Sequence, residues 1–112
     1  MKFSIRKMGD VVIIDVDGQI LLGEGDVEIK HTVDDLLKRG TRKILLNLAK
    51  VPYMDSAGLG EMIRCFTALR KTGGDFKILS PNRRIIDLLT ITKLLNVFDC
   101  YENETTAIAS FS

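Results

Sequence analysis

The sequence has no tryptophan, a single histidine, two cysteines and two prolines. Each scarcity excludes something. His31 stands alone, and Cys65 and Cys100 lie far apart and outside any CxxC pair, so no zinc-ligand spacing exists. The two cysteines read as reduced thiols of a cytoplasmic protein, Cys65 on a helix and Cys100 near a strand end. No apolar run approaches the roughly 20 residues that span a bilayer. The opening "MKFSIRK" alternates apolar and polar residues and lacks the core of a signal peptide. An excess of one charge is also missing. Sixteen basic and fifteen acidic side chains leave a net charge of +1. Basic clusters do not exceed pairs such as Arg83–Arg84, so neither nucleic acid nor an anionic membrane has an electrostatic footprint. No metal or cofactor is expected.

What is present is the balance of a folded domain. The chain has 112 residues, 46% apolar and 28% charged. That is enough for one core and one domain, residues 1–112, and too short for two.

Phe3 and Ile5 alternate with Ser4 and Arg6 as in a half-buried strand, and Gly9–Asp10 offers a turn. "VVIIDVDG" then reads as a second strand, so the two form a hairpin. From Asp26, the residues Ile29, Val33, Leu36 and Leu37 mark one face of a helix that Gly40 stops. "KILLNL" reads as a buried central strand. A second amphipathic helix carries Leu59, Met62, Ile63, Phe66 and Leu69 and ends at Gly73–Gly74. "FKIL" is a further strand, and Ile85, Leu88 and Leu89 begin a third helix. "NVFDCY" reads as extended, and a last short helix follows, capped by Asn103 or Thr105. This alternation predicts an α/β fold with right-handed crossovers, a mostly parallel sheet and helices packed against it.

One stretch carries chemistry. In "VPYMDSAGLGEMI", Val51 to Ile63, a strand end leads into Asp55–Ser56 and then into a helix. The C-terminal edge of such a sheet is where functional groups collect. Ser56 is expected to cap the helix, with Asp55 adding negative charge near its positive end. Ala57, Gly58 and Gly60 put little bulk in the first turn, which suggests close approach by a partner.

A functional role for Ser56 has three forms. As a nucleophile it needs a base, and the only histidine lies on another helix without a G-x-S-x-G elbow. As a phosphate cradle, "DSAGLG" lacks GK[ST]. As a phosphorylation site it fits best: a phosphoserine adds about −1.5 to −2 charge, tolerated at a helix N-terminus and repulsive towards a docked partner.

These residues also carry a resemblance. "VPYMDSAGLGEMI" is similar to the signature of the STAS domain family, the anti-sigma factor antagonists and their relatives. Asp55, Ser56, Ala57, Gly58, Leu59 and Gly60 fill the motif, and the "DVDGQI" hairpin, "KILLNL", "GGDFKIL" and "LLNVFDCYENETTAI" follow in the family's order. The resemblance implies a mixed, mostly parallel sheet of four to five strands with an N-terminal hairpin, flanked by about four helices. It implies a non-enzymatic binding protein, a monomer or weak dimer. Its partner is an anti-sigma factor that is also a serine kinase, whose capture frees a sigma factor. That kinase phosphorylates Ser56 and ends the complex, and a PP2C-type phosphatase restores it. Asp55 to Gly60, with Glu24 and Asp26, are the partner-binding residues so implied.

One run departs from the family. Where many antagonists have a Gly-Glu-Leu-Asp-like run, this chain has "GQILL", Gly18 to Leu22, and its acids arrive later at Glu24 and Asp26. Leu21 and Leu22 are read as core, with an exposed contact patch as the other possibility. The competing function is a STAS-like scaffold or subunit, without phosphorylation, in a signalling or lipid-transport assembly.

Overall fold

The structure, a computed structural model, describes residues 1–112. Strands β1 (Lys2–Met8) and β2 (Val11–Asp17) form the N-terminal hairpin. Then come α1 (Asp26–Lys38), β3 (Lys43–Lys50), α2 (Ser56–Lys71), β4 (Asp75–Leu79), α3 (Arg83–Ile91), β5 (Cys100–Tyr101) and α4 (Glu104–Ala109). The sheet order is β1-β2-β3-β4-β5, antiparallel in the first pair and parallel in the rest. This is the α/β architecture that the alternation of elements predicts.

Strand periodicity divides the interior into two cores. Ile14, Val16, Ile44, Leu46, Leu48, Phe76 and Ile78 face one side of the sheet. There they meet Ile29 and Val33 of α1, Met62, Cys65 and Leu69 of α2, and Ile85 and Leu89 of α3. Crossovers of one hand along one strand order place all three helices on that side. Each fully buried Ile or Leu contributes about 1.5–3 kcal/mol of transfer free energy. The other face holds Val11, Ile13, Leu45 and Leu79 beneath Ala107 and Phe111.

Helix ends follow the sequence signals. After α1, Gly40 (φ 91°) lets its own N–H reach the Leu37 carbonyl and the Thr41 N–H reach that of Leu36. After α2, Gly73 (φ 80°) and Gly74 repeat the pattern on Arg70 and Leu69. Both are left-handed caps that an L side chain disfavours. Asn103 caps α4, accepting from the Thr106 N–H at 2.9 Å.

Charge fastens α4 at both ends. Arg6 of β1 forks between Asp15 and Glu104, with its Nη2 2.9 Å and 2.6 Å from their carboxylate oxygens. Lys77 of β4 is 5% exposed, and its Nζ donates to the Ser110 carbonyl and hydroxyl, each at 2.9 Å. The rings of Phe111 and Tyr101 lie alongside that ammonium.

Four local expectations are corrected. Ile5 is exposed because β1 is an edge strand whose outer flank nothing covers. In α2 the buried stripe runs through Leu59, Met62, Cys65 and Leu69, and Ile63 turns outward. Leu22 is 77% exposed, so the core in "GQILL" is Ile20. Lastly, "NVFDCY" forms only the two-residue β5, because Phe98 is drawn into the core and pairing begins at Cys100.

Candidate functional site

Two neighbours hold the approach to α2 rigidly. From one side, Ile20 N–H donates to the Tyr53 carbonyl at 3.1 Å, and Asp55 N–H returns to the Ile20 carbonyl at 3.2 Å. From the other, Asn82 Nδ2 donates to the carbonyls of Val51 (3.2 Å) and Pro52 (3.0 Å), while Asn82 Oδ1 caps α3 by accepting from Ile85 N–H. The Arg84 guanidinium stacks 4.5 Å from the Tyr53 ring centre. The turn leading to the helix is therefore a built feature, not a loose loop.

The cap is Asp55, which corrects the expectation that Ser56 supplies it. Asp55 has extended backbone (φ −95°, ψ −173°), and its Oδ1 accepts from the Gly58 N–H at 3.0 Å. Its Oδ2 accepts from the Leu22 N–H at 3.0 Å, tying helix and neighbouring loop together. These two backbone donors, Gly58 first, hold the Asp55 carboxyl below the usual carboxylate range. Two candidates share an N-cap signal in "DS", and the longer reach of the aspartate wins because it bridges two segments.

Ser56 is then the first residue of α2 and is exposed. With the cap supplied by Asp55, its hydroxyl is not needed for folding. Small residues beside it have different reasons. A Cβ on Gly58 would run into the Ile20 carbonyl oxygen and come within 2.9 Å of Ile20 Cγ2. Its space belongs to this chain's own packing, not to a partner. A Cβ on Gly60 would meet nothing within 4 Å, and that residue is exposed. Leu59 is buried in the core and Ala57 is half-buried. Thus Ser56, Gly60, Ile63 and Thr67 form the outward ridge of α2 at helical spacing.

Glu24 is exposed and Asp26 half-buried, on the loop that Asp55 holds beside the ridge. Asp26 Oδ1 accepts from the Val27 N–H at 2.7 Å, and the Glu28 carboxylate accepts from the Gly25 N–H. Of the residues predicted to meet a partner, Asp55, Ser56, Gly60, Glu24 and Asp26 share one accessible surface, while Gly58 and Leu59 face inward. Ile63 and Thr67 were not among them, and Leu22 entered only as the alternative to a core position. Their helical and turn positions are readable from sequence, but not the direction they face.

The STAS domain family matches residues 2–107. The chain belongs to the STAS domain family. The anti-sigma-B factor antagonist of Staphylococcus aureus is 36% identical to it over 90 residues, covering 77% of this chain and 82% of the relative. The crystal structure of a Thermotoga maritima protein assigned to the anti-sigma factor antagonists superposes with a TM-score of 0.91 at 27% identity, over 97% of this chain and 93% of that one. Bacillus SpoIIAA in its phosphorylated form shares the fold at 18% identity, with a TM-score of 0.78 over 99% and 100% of the two chains. No helix of this STAS domain is long and apolar enough to cross a membrane.

Proposed function

We propose that this STAS domain is an anti-sigma factor antagonist that binds an anti-sigma factor, itself a serine kinase, through the surface around Ser56. Binding frees the sigma factor that the kinase would otherwise hold. The observation that carries the reading is the division of labour between Asp55 and Ser56. Asp55 caps the helix, so the exposed Ser56 hydroxyl is available for modification without loss of the cap.

In the modification, the kinase transfers the γ-phosphoryl group of ATP to Ser56 Oγ. The new P–O bond replaces the one to ADP, and the serine proton leaves to solvent through the kinase. The product carries about −1.5 to −2 charge. At the first position of α2 that charge sits near the positive end of the helix, so the fold tolerates it. Across the interface it faces the nucleotide phosphates from which it came, and the like charges drive the partners apart. A PP2C-type phosphatase hydrolyses the ester and returns the binding form. The relatives named anti-sigma factor antagonists, and the existence of a phosphorylated protein with this fold, support the reading.

The test is incubation with the purified anti-sigma factor of the same organism and Mg-ATP, followed by peptide mapping by mass spectrometry. One phosphate on the peptide containing Ser56, absent from Ser56→Ala, is the expected result. Phosphate at other sites, or none, contradicts the switch.

A further inference from the structure

We propose that Leu22 is a specificity-determining residue of this surface, an apolar anchor for a partner that offers an apolar socket rimmed by lysine or arginine. The inference rests on the reading that an anti-sigma factor docks at Ser56, and it adds what that partner must look like.

Leu22 is 77% exposed, yet it is not on a loose loop. It sits in a tight turn closed by Leu21 N–H to the Glu24 carbonyl (2.7 Å) and Glu24 N–H to the Leu21 carbonyl (2.9 Å). Gly23 supplies the positive φ of 75° that the turn requires. The Leu22 N–H is itself held by Asp55 Oδ2. The side chain is thus presented to solvent on a backbone fixed by three hydrogen bonds, immediately beside the residue preceding Ser56. An exposed leucine contributes nothing to the core, and a rigid presentation lowers the ordering cost of using it as a contact.

The charged side chains of the loop itself are all acidic. Glu24, Asp26, Glu28 and Asp55 lie on the same turn, on the first turn of α1 and at the α2 cap. None of the four takes part in any ion pair of the chain. No lysine, arginine or histidine occurs between Met8 and Ile29. The unpaired carboxylates call for cations from outside, and the leucine among them calls for an apolar socket.

A second exposed apolar side chain provides the control. Ile91 is 80% exposed at the C-terminal end of α3, whose opposite end, through Asn82 and Arg84, is the one that packs on the approach to α2. Calorimetric titration of the purified anti-sigma factor of the same organism into wild type, Leu22→Ala, Leu22→Asp, Ile91→Ala and Ser56→Asp tests the inference. Leu22→Ala is expected to weaken binding roughly tenfold to thirtyfold, and Leu22→Asp further. Ile91→Ala is expected to bind like wild type, and Leu22→Ala to melt like wild type. If Leu22→Ala binds within about twofold of wild type while Ser56→Asp still weakens the complex, the Leu22 inference is overturned and the Ser56 surface stands. If wild type does not bind, or neither position affects binding, both fall.

Discussion

The Asp55 carboxylate accepts from the Gly58 N–H and the Leu22 N–H, each at 3.0 Å, so one side chain both starts a helix and positions its neighbouring loop. Asp55→Ala removes both bonds, whereas Asp55→Ser keeps the capping chemistry and loses reach. A fall of roughly 5 °C in Tm is expected for the alanine variant and a smaller fall for the serine. The sign of the pH dependence follows from the depressed carboxyl. This contribution is fully present above the unfolded-state pKa of about 3.9 and is lost as pH falls through the lower folded value. Acid melts in which Asp55→Ala parallels wild type down to strongly acidic pH would contradict the assignment.

Gly58 and Gly60 are two residues apart and should respond in opposite directions. Gly58→Ala forces a Cβ against the Ile20 carbonyl and is expected to cost about 1–3 kcal/mol. Gly60→Ala enters open space in a helix interior and is expected to stabilise by about 0.5–1 kcal/mol. Urea unfolding measures both. If Gly60 leaves clearance for a partner, Gly60→Ala will also bind the anti-sigma factor less tightly while being the more stable protein.

Arg6 links β1 to α4 through Asp15 and Glu104. Its hydrogen bonds hold both carboxyls below their ordinary range, and they in turn raise the guanidinium. All three groups are partly exposed, so solvent screening limits the net effect to about 1 kcal/mol. The benefit exists above the ordinary carboxylate range and disappears as pH falls below it. Arg6→Met should therefore be destabilised near neutral pH and converge with wild type in acid, with the difference seen as faster amide exchange in α4. Equal exchange in α4 at neutral pH would show that the fork does not hold the helix.

The two thiols should be unreactive in the native state. Burial pushes Cys65 up to about 12 and, with Asp99 and Glu102 adding to it, Cys100 up to about 11. At pH 8 a disulfide reagent is expected to label Cys100 slowly and Cys65 only on unfolding, because the thiolate is the attacking species. Rapid labelling of Cys65 in folded protein would contradict its placement between α2 and the sheet.

Much of this was legible in the sequence, for physical reasons that differ by element. The hairpin, the three crossover helices and the glycine stops of α1 and α2 follow from periodicity of two or 3.6 and from left-handed caps, which are local properties. The resemblance carried by "DSAGLG" singled out the candidate site. What was not legible depends on long-range geometry. Asp55 rather than Ser56 caps α2 because Leu22, far away in sequence, supplies a second donor. Gly58 is small because Ile20 lies against it, a close approach indistinguishable in sequence from clearance for a partner. Leu22 is exposed because the tight turn places Ile20 inward, and adjacent leucines in a loop have no periodicity from which to read this.

The Ser56 switch is tested most directly by the affinity of one anti-sigma factor for the unphosphorylated and the fully phosphorylated protein, measured by calorimetry in the presence of ADP. Binding by the unphosphorylated form and a loss of about a hundredfold or more on phosphorylation, with an unchanged circular dichroism spectrum, is the predicted result. Equal affinity of the two forms would contradict the switch, and loss of the native spectrum on phosphorylation would contradict the claim that the cap shelters the fold.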